Sequence, residues 1–268
     1  MNKKPIGIFD SGVGGLTVYK EIREQFPNED IIYFGDTARV PYGPKSKNNV
    51  IKYSIQNARF LIQQGAKIII VACNTSSSVA LPALRELVEV PVIGVIQPGV
   101  RSAIKHTINK KIGVIGTEGT IKSEAYQKAI QNLDKSCEVF SAACPMLVPL
   151  AEEGWIDHEV THLIIAEYLS VLLQKKIDTL VLGCTHYPIL KSAIKKIVGD
   201  NVNLVDSAIE VAKQLEEKII HRGESQKGSS KFFVSDKTEK FKTIGKSIIG
   251  ENVSPIQNVK LGESWYLT

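Results

Sequence analysis

Short apolar runs alternate with longer amphipathic stretches from one end of the chain to the other. The runs predict strands at Ile6–Phe9, Ile31–Gly35, Ile68–Ala72, Val92–Val95, Ile112–Ile115, Val139–Ala142, Thr179–Leu182, Asn203–Val205 and Phe232–Val234. Several are apolar at successive positions rather than every second one, the pattern of strands covered on both faces. Between them, helical periodicity predicts helices near Leu16–Glu24, Asn48–Gln64, Val79–Val88, Gly99–Lys105, Ser123–Gln131, Val160–Gln174, Leu190–Val198, Ala208–Arg222 and Glu239–Ile249. Strands and helices in alternation predict an α/β fold with parallel sheets. The polar, Gly- and Ser-rich segment Gly223–Ser230 reads as a surface loop.

The chain also repeats itself. Ile6-Gly-Ile-Phe-Asp10 is echoed by Ile112-Gly-Val-Ile-Gly116, and Val-Ala-Cys73 by Leu-Gly-Cys184, at offsets of about 106 and 111 residues. The expected architecture is therefore two similar parallel-sheet α/β domains related by a pseudo-twofold, with the active site in the cleft between them. Residues 1–97 and 207–268 would form the first half, to which the chain returns at its C-terminus, and residues 98–206 the second. Ligands of open α/β sheets bind beyond the carboxyl ends of the strands, where the polar motifs of this chain fall.

Composition narrows the class. An apolar share of 43% over 268 residues suits a globular protein with buried cores, and no run approaches the length of a membrane span. The N-terminus runs directly into a strand, so a cytoplasmic location is expected, and four cysteines in that setting point away from disulfides. The net charge of +5 is spread along the chain, so neither nucleic acid nor a membrane is expected as a partner.

Cys73 and Cys184 carry the chemistry. Each ends an apolar strand, and polar residues follow: Cys73-Asn74-Thr75-Ser76 and Cys184-Thr185-His186. Two thiols facing each other across a pocket can take a proton from one face of a carbon and return one to the other, with no cofactor. A position leading into a helix offers backbone N–H groups that favour thiolate. Asp10-Ser11-Gly-Val-Gly14-Gly15 departs from nucleotide-binding spacings and reads as a donor-rich helix start that holds a carboxylate, with Asp10 beside the cleft. Thr117 lies in the matching segment of the second half. Tyr42 and Gly43 sit on a loop stiffened by Pro41; His186 is placed to tune Cys184, and Glu152 lies on a short connecting segment.

His158-Glu159-Val-Thr-His162 spells the zinc-protease pattern, but Asp157 precedes it as a helix cap and no third ligand follows. It is assigned to a solvated helix start, and no metal is expected. Cys137 and Cys144 have neither zinc spacing nor repeat partners and are assigned to structure.

Taken together, Asp10-Ser11-Gly-Val-Gly-Gly-Leu-Thr, Gly35-Asp36-Thr-Ala-Arg-Val-Pro-Tyr42-Gly43, Ala72-Cys73-Asn74-Thr75 and Leu182-Gly-Cys184-Thr185-His186-Tyr-Pro closely resemble the bacterial glutamate racemase family over nearly the whole chain. The resemblance implies a cofactor-independent isomerase that interconverts L- and D-glutamate and supplies D-glutamate for peptidoglycan synthesis, with a homodimer as the expected assembly. It implies that Cys73 deprotonates D-glutamate and Cys184 L-glutamate, with Asp10 as the partner of Cys73, and Glu152 and His186 as partners of Cys184. Asp10, Ser11, Tyr42, Gly43, Asn74, Thr75, Thr117, Thr185 and His186 fall at substrate-contact positions. The chain departs from the family pattern at Ser76, where alanine is usual. Aspartate racemase shares the two thiols and is the alternative. A cysteine hydrolase would need only one cysteine, and an acidic amino-acid binding protein would not exchange the α-hydrogen.

Overall fold

The computed structural model describes residues 4–219, 227–236 and 239–262. Ten strands form two wholly parallel sheets. The first contains β1 (Ile6–Asp10), β2 (Ile31–Gly35), β3 (Ile68–Val71), β4 (Val92–Gly94), β9 (Ser230–Val234) and β10 (Ile256–Asn258). The second contains β5 (Lys111–Gly116), β6 (Glu138–Ala143), β7 (Thr179–Gly183) and β8 (Asn203–Asp206). Their orders are β10-β9-β2-β1-β3-β4 and β6-β5-β7-β8. The core of the first sheet, β2-β1-β3-β4, thus has the same order as the second. β9 and β10 extend only the first.

Both faces of each sheet are covered, which is why β1, β2, β3 and β7 are buried at every position. Ile6, Ile8, Tyr33 and Ile70 pack on one face of the first sheet against helices Leu16–Gln25, Ser207–Glu216 and Glu239–Ile249. Phe9, Phe34, Ile69 and Val71 pack on the other against helix Lys47–Gln63. In the second half, helix Glu159–Gln174 packs against Leu180 and Leu182, and helix Ile96–His106 against Val114 and Val181. Burying side chains of this size contributes about 1.5–3 kcal/mol each. Helix Ser207–Glu216 packs on helix Leu16–Gln25 and also on helix Ile96–His106, so the returning chain touches both halves.

All nine expected strands form, and β10 is an addition. It is short and mostly exposed, without the apolar run that marks the others. The helix expected over Val79–Val88 forms over Leu81–Leu87, and a separate short helix, Asn74–Val79, precedes it. Pro82 lacks an N–H and suits only a first turn, so the helix restarts there. The helix expected over Ser123–Gln131 forms over Ala125–Leu133, and an unexpected short helix, Glu118–Lys122, precedes it, with Glu124 between them at φ 57°. Glu152 ends a helix, Leu147–Glu152, rather than lying on an irregular connection. The expected extension of the Ala208 helix over Ile220–Arg222, and the first half of the loop expected at Gly223–Ser230, lie outside the described residues. No helix among the described residues is long and apolar enough to cross a membrane.

Candidate active site

Cys73 follows β3 and Cys184 follows β7, the same position in each half. Both border one cavity of about 50 Å³, lined from the first half by Ser11, Val40, Pro41, Tyr42, Gly43, Asn74 and Thr75. From the second half it is lined by Thr117, Val148, Glu152, Thr185 and His186. Every residue assigned from the sequence to catalysis or substrate contact borders it except Asp10. Val40 and Val148 were not anticipated, because an isolated valine carries no signal for a site. Outside lies a wider opening of about 390 Å³, walled by Pro41, Pro44, Pro145 and Pro149 among others.

Hydrogen bonds join the halves around this cavity. Thr75 Oγ1 and Thr117 Oγ1 lie 2.9 Å apart, Tyr126 donates to Asn74 Oδ1 at 2.7 Å, and Gly119 N–H donates to the Gly43 carbonyl at 2.9 Å. Thr17 donates to the Thr185 carbonyl at 3.0 Å. Two glycines allow this approach. A Cβ on Gly14 would lie 2.4 Å from His186 Nδ1, and one on Gly119 would lie 2.7 Å from the Gly43 carbonyl oxygen.

Around Cys73 the setting is buried and anionic. Asp10 is fully buried at the end of β1; its Oδ2 accepts from Gly12 N–H and Gly15 N–H at 3.0 Å each, while Oδ1 has no partner. Two amides of the glycine-rich turn, expected to hold a ligand's carboxylate, are therefore taken by the chain's own aspartate. Burial raises the Asp10 carboxyl above its ordinary range, opposed by His186 and by backbone donors. Burial, and then Asp10, push the Cys73 thiol up to about 11. The backbone N–H of Ser76 does donate to Cys73 Sγ, at 3.5 Å, as expected of a cysteine capping a helix. One such donor does not offset the loss of water, so the expected net shift toward thiolate is reversed.

Around Cys184 the setting is a chain of charges. Its Sγ lies 3.9 Å from His186 Nδ1, and His186 Nε2 lies 3.1 Å from Glu152 Oε1. Glu152 Oε2 lies 3.5 Å from the ammonium of Lys240, which comes from the first half on helix Glu239–Ile249 and also bonds Glu153 at 2.7 Å. Burial works against a charged His186, but Cys184 and Glu152 outweigh it and raise the imidazole to about 10. Glu152 is held below its ordinary value by the bond to His186, against burial, with help from Lys240. Lys240 was not anticipated; 54 residues of chain beyond His186, it has no motif around it.

Tyr42 donates to Asp36, which also binds Arg39, and Asn57 donates to the Tyr42 hydroxyl at 3.2 Å, so the Tyr42 loop is pinned to the first half. His158 and His162 lie elsewhere. His158 caps its helix by accepting from Val160 N–H at 3.1 Å, and His162 Nε2 sits 2.9 Å from Asp157 Oδ1. Cys137 and Cys144 are buried and unbridged.

The profile of the Asp/Glu/Hydantoin racemase family matches residues 6–215. The chain belongs to that family. It is 52% identical over 263 residues to a glutamate racemase of Geobacter metallireducens, covering 96% of this chain and 97% of the relative. Among solved structures, a glutamate racemase isoform from Bacillus anthracis superposes with a TM-score of 0.92 at 43% identity, covering 96% of this chain and 98% of that one. The glutamate racemase of Francisella tularensis, solved in complex with D-glutamate, gives 0.91 at 40% identity, covering 98% and 100%. Membership fits a site in which two cysteines from like positions border one cavity.

Proposed function

We propose that this chain is a glutamate racemase, an amino-acid isomerase that interconverts L- and D-glutamate by two-base proton transfer without a cofactor and so supplies D-glutamate for peptidoglycan synthesis. The observation that carries the mechanism is the pair of cysteines at matching strand ends on opposite walls of one cavity. Inverting a carbon centre requires a proton to leave one face and another to arrive at the other, and one base per wall supplies both. Cys184 takes the α-proton of L-glutamate while Cys73 delivers one; the roles reverse for D-glutamate.

The two resting environments suit opposite states of that cycle. A thiol raised to about 11 leaves Cys73 protonated at neutral pH, ready to act as the acid. A charged His186, held by Glu152, donates from Nδ1 to the Cys184 sulfur when it is negative. In the reverse direction Cys73 must itself lose a proton. The substrate's ammonium, placed beside Asp10, offsets the negative charge that opposes this. The carboxylates are held by neutral donors, for the cavity is lined by Ser11, Asn74, Thr75, Thr117, Thr185 and the Gly43 amide, with no lysine or arginine. Fixed donors of this kind stabilise the charge that develops as the α-proton leaves. The cavity, at about 50 Å³, is small beside the wider opening outside it, so the halves part to admit substrate through that opening.

Leu163 and Val171, 63% and 59% exposed on one face of helix Glu159–Gln174, support pairing with a second copy of the chain. Sedimentation of the natural chain beside a Leu163→Lys variant tests this: the variant should sediment as a monomer, and an unchanged natural monomer would rule the dimer out.

The reaction is tested by incubating metal-free protein with D-glutamate in heavy water. Loss of optical rotation with deuterium appearing at the α-carbon is the expected result. Exchange on aspartate but not glutamate would overturn the substrate, and no exchange on either would overturn the reaction.

A further inference from the structure

Ser76 lies three residues beyond Cys73, in the first turn of helix Asn74–Val79. It is completely buried, and its Oγ has no hydrogen-bond partner. A buried hydroxyl left without a partner destabilises a fold, and an alanine would avoid that cost at the same place. The residue three beyond a helix-capping side chain is the one whose side chain reaches back over the cap. Here the cap is the Cys73 sulfur, which already accepts the backbone N–H of Ser76 at 3.5 Å. The matching residue of the second half is Tyr187, whose hydroxyl donates away from Cys184 to the Cys144 carbonyl at 2.9 Å. That half uses His186 for its sulfur instead.

We propose that Ser76 is a positioning residue for Cys73: its buried hydroxyl, carried back over the sulfur by the helix turn, donates to the thiolate form and sets how readily this cysteine gives up its proton. The inference rests on the racemase reading, in which Cys73 must lose a proton in one direction. The other groups around that sulfur favour the neutral thiol or serve elsewhere. Asp10 opposes a negative sulfur and Tyr33 is itself opposed by one. Tyr42, packed beside Cys73, is committed to Asp36. His186 and Glu152, across the cavity, are paired with each other. Only Ser76 and Ser11 offer hydroxyls that favour the charged sulfur, and Ser11 also faces the cavity.

The test is the rate at which iodoacetamide alkylates Cys73, followed against pH by peptide mapping in a Cys184→Ser background. Adding Ser76→Ala should slow the reaction about tenfold at each pH below the thiol midpoint, one pKa unit upward. The melting midpoint should stay the same or rise, because an unpartnered hydroxyl has been removed. Ser76→Thr keeps the hydroxyl and should alkylate at the natural rate even if its extra methyl lowers the melting midpoint. An alkylation profile unchanged by Ser76→Ala would overturn the proposal. So would a change confined to the KM for glutamate in the chain with Cys184 intact, since that would place the hydroxyl on the substrate. Alkylation needs no turnover, so a chain that failed to racemise glutamate would still report on this thiol.

Discussion

The two cysteines occupy the same place in a repeated fold and yet are served by unlike groups. Cys73 sits among Asp10, Ser11 and Ser76, with its carboxylate supplied by the strand beside it. Cys184 sits at the inner end of a line through His186 and Glu152 to Lys240 at the surface. The repeat explains why. The second-half counterpart of Asp10 is Gly116, so β5 has no carboxylate to offer. Glu152 arrives instead from helix Leu147–Glu152, and the position of Thr75 is taken by His186. The repeat keeps the place of the thiol while its partners differ between the halves, which suits a reaction that asks different things of its two walls.

Removing either thiol breaks the comparison outright. Cys73→Ser and Cys184→Ser should each lower kcat about a thousandfold, within the range expected for loss of an acid–base group. Polarimetry measures the loss. Solvent exchange separates the two: Cys184→Ser should still wash out the α-proton of D-glutamate, and Cys73→Ser that of L-glutamate. The reverse pattern would exchange their assigned roles.

The carboxylates come next. Asp10→Asn should reduce kcat about a hundredfold and Glu152→Gln roughly tenfold, because Asp10 is fully buried beside its thiol and Glu152 acts one residue removed. Equal losses, read from initial rates in both directions, would mean that the two walls are less different than their structures.

Below about pH 9, before the raised Cys73 thiol contributes, the Cys184 side should make stability depend on pH. His186 is raised from 6.5 to about 10 in the fold by Cys184 and Glu152, so its charged pairing with them stabilises fully below pH 6.5, and that contribution is lost as pH rises toward 10. Glu152 is lowered, so its share is present above 4.5 and lost as pH falls through its folded value. Urea unfolding between pH 6.5 and 9 should show a decline on the order of 3 kcal/mol, and Glu152→Gln should reduce it. A slope unaffected by that substitution would remove His186 from the pair.

Lys240→Met is the mildest. The lysine is 49% exposed and its pair is screened by water and salt, so kcat should fall about twofold, an effect below 1 kcal/mol. High salt should bring the natural chain to the level of the variant. A larger loss that persists in salt would make Lys240 part of the inner machinery.

How far the molecule was legible depended on how local each signal was. The nine strands, the repeat and both cysteines are written in contiguous residues, and a run such as Ile68–Val71 has few alternatives to a buried parallel strand. The motif residues Ser11, Tyr42, Gly43, Asn74, Thr75, Thr117, Thr185 and His186 do line one cavity. Legibility failed where a residue depends on a distant one. The amides after Asp10 were assigned to a ligand, and the fold gives two of them to Asp10 itself. β10 and the helix carrying Glu152 lack strong periodicity and take their place from what they pack against.

By itself, then, the sequence determined that this is a parallel α/β chain with an internal repeat and two thiols at strand ends, because side-chain period and turn chemistry act over a few residues. Tertiary structure alone decided the electrostatics. Burial and Asp10 hold Cys73 as a thiol despite its helix-capping position, and Lys240 reaches Glu152 across the boundary between the halves. Desolvation and charge act through space, and only the closed fold brings those groups within range.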